Sequence, residues 1–166
     1  MMRRSLLALL LLLPLGATTD CGIESVVPVG EPDTAERDGR LLGAWSCTHD
    51  DDPEHGPVRI YAFGEREYYV RVGRPDEEEH FRAFAAELHG RRFLNLQGLR
   101  FEPSRGYIIL GYDIDASGGL TAGIVEVGTG EAKPRTREAL AVLVAKALAD
   151  GTLFDADDRY ACERSG

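Results

Sequence analysis

The chain has 166 residues and a formal net charge of −9, from 19 basic and 28 acidic side chains. So acidic a chain repels a phosphate backbone, which sets nucleic-acid binding aside. Its length is that of one ordinary domain behind a leader, with room for a buried core.

Residues 1–20 read as a secretory signal. Arg3 and Arg4 give the start a positive charge, Leu6 to Leu13 is a leucine-rich run, Pro14 and Gly16 break it, and small residues follow. A membrane-spanning helix needs about 20 apolar residues, and the stretch from Leu6 to Ala17 is too short for one. Cys21 comes next, followed by the polar stretch Gly22 to Thr34. This arrangement resembles a bacterial lipobox and its tether, as found in small bacterial lipoproteins. The resemblance implies lipidation of Cys21 and a membrane partner reached through that anchor. Gly22, rather than an aspartate, after the cysteine implies an outer-membrane lipoprotein facing the periplasm. Asp20 departs from the pattern, which carries a small residue there. The alternative is cleavage near Ala17 and a free exported protein with a spare cysteine. Residues 21–40 read as lipid anchor and flexible spacer, because Pro28, Gly30 and Pro32 punctuate a stretch without sustained periodicity.

Residues 41–166 read as a single β-rich domain. Leu41 to Cys47 alternates as a first strand, with Trp45, the only tryptophan, as a core anchor. Val58 to Phe63 and Glu67 to Val72 alternate and are rich in aromatic and β-branched residues, so the Gly64–Arg66 link makes them a hairpin. Asp76 to Gln97 is ambiguous. Phe81, Phe84, Ala85 and Leu88 stand at helical spacing, while Phe84, Ala86 and Leu88 alternate before His89-Gly90; the hairpin spacing of the neighbours favours strands. Gly106 to Ile114 and Leu120 to Val127 form another hairpin. From 136 to 150 the pattern becomes helical, with Leu140, Leu143, Val144, Ala147 and Leu148 on one face, Thr136 as N-cap and Gly151 as stop. Arg159 to Arg164 ends the domain as a short strand with Tyr160 and Cys162 on one face. With Cys21 lipidated, Cys47 and Cys162 are an even pair in an oxidising compartment, which predicts a disulfide over two free buried thiols.

Gly43 and Trp45 within Leu41–Cys47, followed by hairpins, a late helix and a terminal strand, resemble the lipocalin-like (calycin) barrels. The resemblance implies an antiparallel barrel or half-barrel, mainly β with one C-terminal helix, and an apolar or amphiphilic small ligand inside it. Trp45, Tyr61, Phe63, Tyr69 and Phe84 are the expected ligand-facing residues; plain core is the competing reading of all five.

Asp113 to Leu120 looks like the start of a calcium loop, with Asp113, Asp115 and Ser117 at alternate positions, but the twelfth position is Ile124 rather than a bidentate glutamate. A hairpin turn explains the same residues. His49, Asp51 and His55, with Asp50 and Asp52, offer zinc-type ligands, set among the prolines and glycine of an exposed loop. Glu77, Glu78, Glu79 and His80 alternate in direction and do not converge. No nucleophile elbow, phosphate loop or catalytic constellation is present, and no cofactor is implied. The expected function is a non-catalytic, lipid-anchored envelope protein that binds a small amphiphile or an envelope protein. The alternatives are a structural envelope component without a ligand, and a metal-dependent hydrolase using the 49–55 loop.

Overall fold

The computed structural model describes residues 24–49, 56–99, 106–128, 130–153 and 159–165. The described strands are β1 (Glu24–Ser25), β2 (Gly43–His49), β3 (Pro57–Phe63), β4 (Glu67–Val72), β5 (Glu79–Leu88), β6 (Arg91–Gly98), β7 (Tyr107–Ile114), β8 (Leu120–Ile124) and β9 (Arg159–Arg164), with one helix, α1 (Arg137–Asp150). Each strand from β2 to β9 pairs antiparallel with the next, and β9 pairs back with β2, so eight strands close an up-and-down barrel. Closure removes the unpaired edges that an open sheet of this size presents to solvent. β1 extends β7 just beyond the point where β8 leaves it, pairing Glu24 with Ile108 and Ser25 with Tyr107.

Alternation assigns the faces. In β4, Tyr68 and Val70 are buried in the barrel while Tyr69 between them is half-buried on the outside. The inner core runs from Leu41 and Trp45 through Ile60, Val70 and Leu94 to Leu120. β5 and β6 are buried on both faces over part of their length: Ala83, Phe84 and Ala85 are consecutive buried residues, as are Phe93 to Leu96. Two-sided burial replaces alternation with a continuous apolar run. This is why the stretch around Phe84 carries a helix-like spacing and still forms a strand. β5 and β6 meet in a two-residue turn, and both turn residues, His89 (φ 51°) and Gly90 (φ 72°), adopt the left-handed conformation that such hairpins require.

What covers the outside of β5–β7 is a second layer. α1 contributes Leu140 and Val144, the strand exit contributes Val125 and Val127, and Val29 joins them over Phe93 and Ile109. The helix is capped as its sequence indicates: the Thr136 hydroxyl accepts from the Ala139 N–H at 3.2 Å, and the Gly151 N–H closes onto the Leu148 carbonyl at 3.3 Å. Its apolar face packs on the sheet, and no described helix is long and apolar enough to cross a membrane.

The stretch expected as a flexible spacer packs instead on the barrel from Glu24 onward. Val29 and Ala35 are buried, and the fully buried Asn95 of β6 clamps Val29 on both sides. Its Oδ1 accepts from the Val29 N–H at 2.8 Å and its Nδ2 donates to the Val29 carbonyl at 3.0 Å. A side-chain amide thus supplies what a neighbouring strand would, so an aperiodic segment can lie on the sheet without orphaned polar groups.

Cys47 and Cys162 are directly opposed on β2 and β9, 4.0 Å apart at Cα, and are joined by a disulfide across 115 positions.

Candidate functional site

One end of the barrel is plugged. The chain enters through a single 3₁₀ turn, Gly39–Leu41, capped when the Asp38 Oδ1 accepts from the Arg40 N–H at 3.1 Å. Leu41 drops into the core at 1% exposure, and its carbonyl accepts from the Trp45 indole N–H at 2.9 Å. Above Trp45 lies Arg164, its guanidinium 4.5 Å from the ring centroid, donating to the carbonyls of Leu42 (3.0 Å) and Arg40 (2.6 Å). Gly43, at φ 129°, lets the backbone pass this guanidinium, because a Cβ there would stand 2.9 Å from the Arg164 Nη1. Inside the plug, the Tyr68 hydroxyl accepts from the Asp38 N–H at 2.6 Å, and the Tyr112 hydroxyl donates to the Asp38 Oδ2 at 3.4 Å.

The electrostatics follow from this packing. The Arg40 side chain hydrogen-bonds the Asp38 carboxylate and holds it below its ordinary range against the opposing effect of burial. Burial pushes the Tyr68 hydroxyl up to about 12, with the Asp38 backbone hydrogen bond acting in the other direction. Burial, then the Asp38 charge, pushes Tyr112 up as well.

Between the plug and the far end lies a cavity of about 200 Å³. Its wall is aliphatic, with Val58, Ile60, Val70, Val72, Leu96 and Ile108 on the inward stripe of their strands, and the Cys47–Cys162 bridge and Tyr160 closing one side. Among the described residues lining it, Glu79 is the one charged side chain. It heads the inward stripe of β5 at the end away from the plug, where β4, β6 and β7 end at Val72, Gly98 and Tyr107.

The structure distributes the expected ligand residues across both sides of the wall. Trp45 points inward but is sealed into the floor at 0% exposure. Tyr61 and Phe63 project outward and are exposed. Tyr69 also projects outward, stacking between Tyr61 (6.0 Å) and His80 (5.9 Å), with its hydroxyl 2.7 Å from the His80 Nδ1. Phe84 is buried on the outer face, edge-on to Tyr107. On β3 and β4 the cavity wall therefore belongs to Val58, Ile60, Val70 and Val72, and Tyr61, Phe63 and Tyr69 occupy the opposite parity. Arg164, the residue that pins the plug, escaped sequence reading. Once Cys47 opposes Cys162 in an antiparallel pair, Arg164 must oppose Trp45, so the disulfide spacing carried that signal.

His49 ends β2 with its ring 4.9 Å from that of Tyr160. Its expected co-ligands Asp51 and His55 lie outside the described residues, as does Cys21. Among the described residues no group of three His, Cys, Asp or Glu stands close enough to hold a metal. The Asp113–Leu120 stretch forms the β7–β8 hairpin, in which the Asp115 Oδ1 is occupied by the N–H groups of Ser117 (2.8 Å) and Gly119 (3.0 Å) and by the Ser117 hydroxyl (2.6 Å). Glu78 pairs with Arg71 and His80 lies beside it on the outer face, its Nε2 4.0 Å from the Glu78 Oε2, while Glu79 between them faces the cavity; the expected divergence therefore holds for Glu79 and not for Glu78 and His80.

No family model matches the chain, and neither a curated protein nor a solved structure matches it.

Proposed function

We propose that this is an exported, lipid-anchored protein of the cell envelope that binds a small apolar or amphiphilic molecule in its barrel. The observation that carries the reading is the aliphatic cavity of about 200 Å³ with a polar plug at one end and a single carboxylate, Glu79, toward the other. An eight-stranded barrel is just wide enough either to be filled by its own side chains or to hold one small ligand, and here space remains. An engineered apolar cavity of about 150 Å³ admits benzene. The part of the ligand inside is therefore about one ring, or an alkyl segment of roughly six methylenes. At about 0.8 kcal/mol per methylene, such a segment supplies roughly 5 kcal/mol, a dissociation constant on the order of 0.2 mM.

The test is native mass spectrometry of the chain from Gly22 onward, secreted into a periplasm and offered a homologous series of short alkyl amphiphiles. Retained mass should rise with tail length to a limit set by the cavity and then fall. In Val58→Phe, whose new ring fills the lumen, binding should drop at least tenfold while the barrel remains folded. Equal retention by both proteins would show that the cavity is not the site.

A further inference from the structure

Closure leaves no long strand edge on the barrel, so a partner must meet the outer face of the sheet. The second layer occupies that face on β5 to β7. Around the β2–β9 seam the outer face is bare. Ser46 of β2, Glu163 of β9 and Tyr61 and Phe63 of β3 are exposed there, and Ala44 and Arg59 are half-buried.

The charges on the neighbouring strands are matched within the chain. Arg82 of β5 donates to Glu67 of β4 at 2.6 and 2.8 Å, and Arg71 of β4 donates to Glu78 at 2.5 and 3.0 Å. Two charges near the seam are not matched. Arg59 stands directly opposite Arg71 across the β3–β4 ladder, and like charges in that relation oppose folding. Among the described residues neither Arg59 nor Glu163 has a side-chain hydrogen bond or ion pair. Arg159, the other outward charge of β9, turns to the hollow between β8 and α1. Arg59 opposes Ala44 and Glu163 opposes Ser46. The two unmatched charges therefore flank β2 on opposite sides, with only a methyl and a hydroxymethyl group between them.

We propose that this face is the contact between two copies of the chain, related by a two-fold axis through β2 between Ala44 and Ser46. An axis in the contact plane, at right angles to the line from Arg59 to Glu163, lays Arg59 of each copy against Glu163 of the other. Such an interface is self-complementary, and each contact occurs twice. The small side chains of β2 let the two sheets approach at the axis. Tyr61 and Phe63, beside Arg59, supply exposed aromatic surface of the kind that anchors interfaces. A free anion would answer Arg59 alone and leave Glu163 bare, whereas a second copy answers both. The inference depends on neither the lipid anchor nor the cavity.

The experiment uses the chain from Gly22 onward, which keeps every described residue. Its two cysteines are joined to each other, so no thiol is left to link copies. Sedimentation equilibrium over roughly 1 μM to 1 mM spans dissociation constants from strong to marginal, and the parent should pass from monomer to dimer within it. Because each pair occurs twice, Arg59→Glu or Glu163→Arg places like charges together at both, and each should weaken association at least tenfold. Neither residue has a partner within the chain, so the urea midpoints of both variants should stay near that of the parent. An equimolar mixture of the two variants restores opposite charges at both contacts. It should form a one-to-one dimer, whose mass in native mass spectrometry lies midway between those of the two homodimers. The parent's own dimer should weaken severalfold as salt rises from about 0.01 M to 1 M, which shortens the Debye length about tenfold. A parent that stays monomeric throughout overturns the interface. Single variants that associate as the parent does, a mixture that stays monomeric, or a dimer indifferent to salt each overturn the pairing of Arg59 with Glu163.

Discussion

The Tyr68 hydroxyl is buried and bonded twice to the Asp38 backbone, accepting from its N–H at 2.6 Å and donating to its carbonyl at 3.3 Å, and this burial makes the fold sensitive to alkali. Its ionisation in the folded chain lies at about 12, above its ordinary value near 10. Below pH 10 both the folded and the unfolded chain keep the proton, and the contribution to stability is complete. Between about pH 10 and 12 the unfolded chain ionises first, so stability falls as pH rises through that window. At about 1.4 kcal/mol per unit, the loss is on the order of 2–3 kcal/mol. We expect the urea midpoint to fall steeply across this window and to fall less in Tyr68→Phe. The variant should start about 1–2 kcal/mol lower because the Asp38 N–H loses its acceptor. A variant that declines as steeply as the parent would shift responsibility to Tyr112, whose ionisation is raised for the same reason.

At the scale of elements, the N-terminal segment and the β2–β9 seam make separate contributions. Asn95→Ala removes both partners of Val29 at a buried position, so it should cost about 2–4 kcal/mol, one unsatisfied group at about 1–2 kcal/mol for each bond lost. In hydrogen exchange the Val29 amide should lose its protection while the β3–β4 hairpin keeps its own. Cys47→Ala with Cys162→Ala opens a 115-position loop and should lower stability by about 2–5 kcal/mol, read from the urea midpoint of oxidised parent against variant. Some of this was legible in the chain. The helix could be bounded almost to the residue, because Thr136, Gly151 and the 140–148 stripe are local signals that agree with one another. The packing of residues 24–35 was not legible. Its determinant, Asn95, lies on β6, and a lone polar residue in the run Phe93–Leu96 looks like a flaw until its partner is seen.

For the whole molecule, hairpin spacing and alternation made the antiparallel strands readable, and the resemblance carried by Gly43 and Trp45 implied the barrel or half-barrel that the closed sheet bears out. What alternation left open is which parity faces the lumen. Tyr61, Phe63 and Tyr69 are larger than Val58, Ile60 and Val70, but the inside of the barrel already holds Trp45, Tyr68 and Tyr112, and two of the three carry a hydroxyl that stays near water on the outer face. On β3 and β4 the smaller Val58, Ile60 and Val70 turn inward and these three rings stay outside, where Tyr69 stacks on its neighbours. The seam between β2 and β9 also bears on how the molecule is made. Synthesis delivers β2 before the strands β3 to β8 and β9 after them, so until β9 emerges β2 has only β3 beside it and its other backbone edge is bare. A nascent chain in this condition is a template for pairing with its neighbours. Joining Cys47 to Cys162, by an oxidant that takes up the two electrons and two protons, must wait until β9 has been made, which makes the bridge a seal placed on a closed barrel and ties the maturation of this protein to whatever keeps its half-made sheet apart from others.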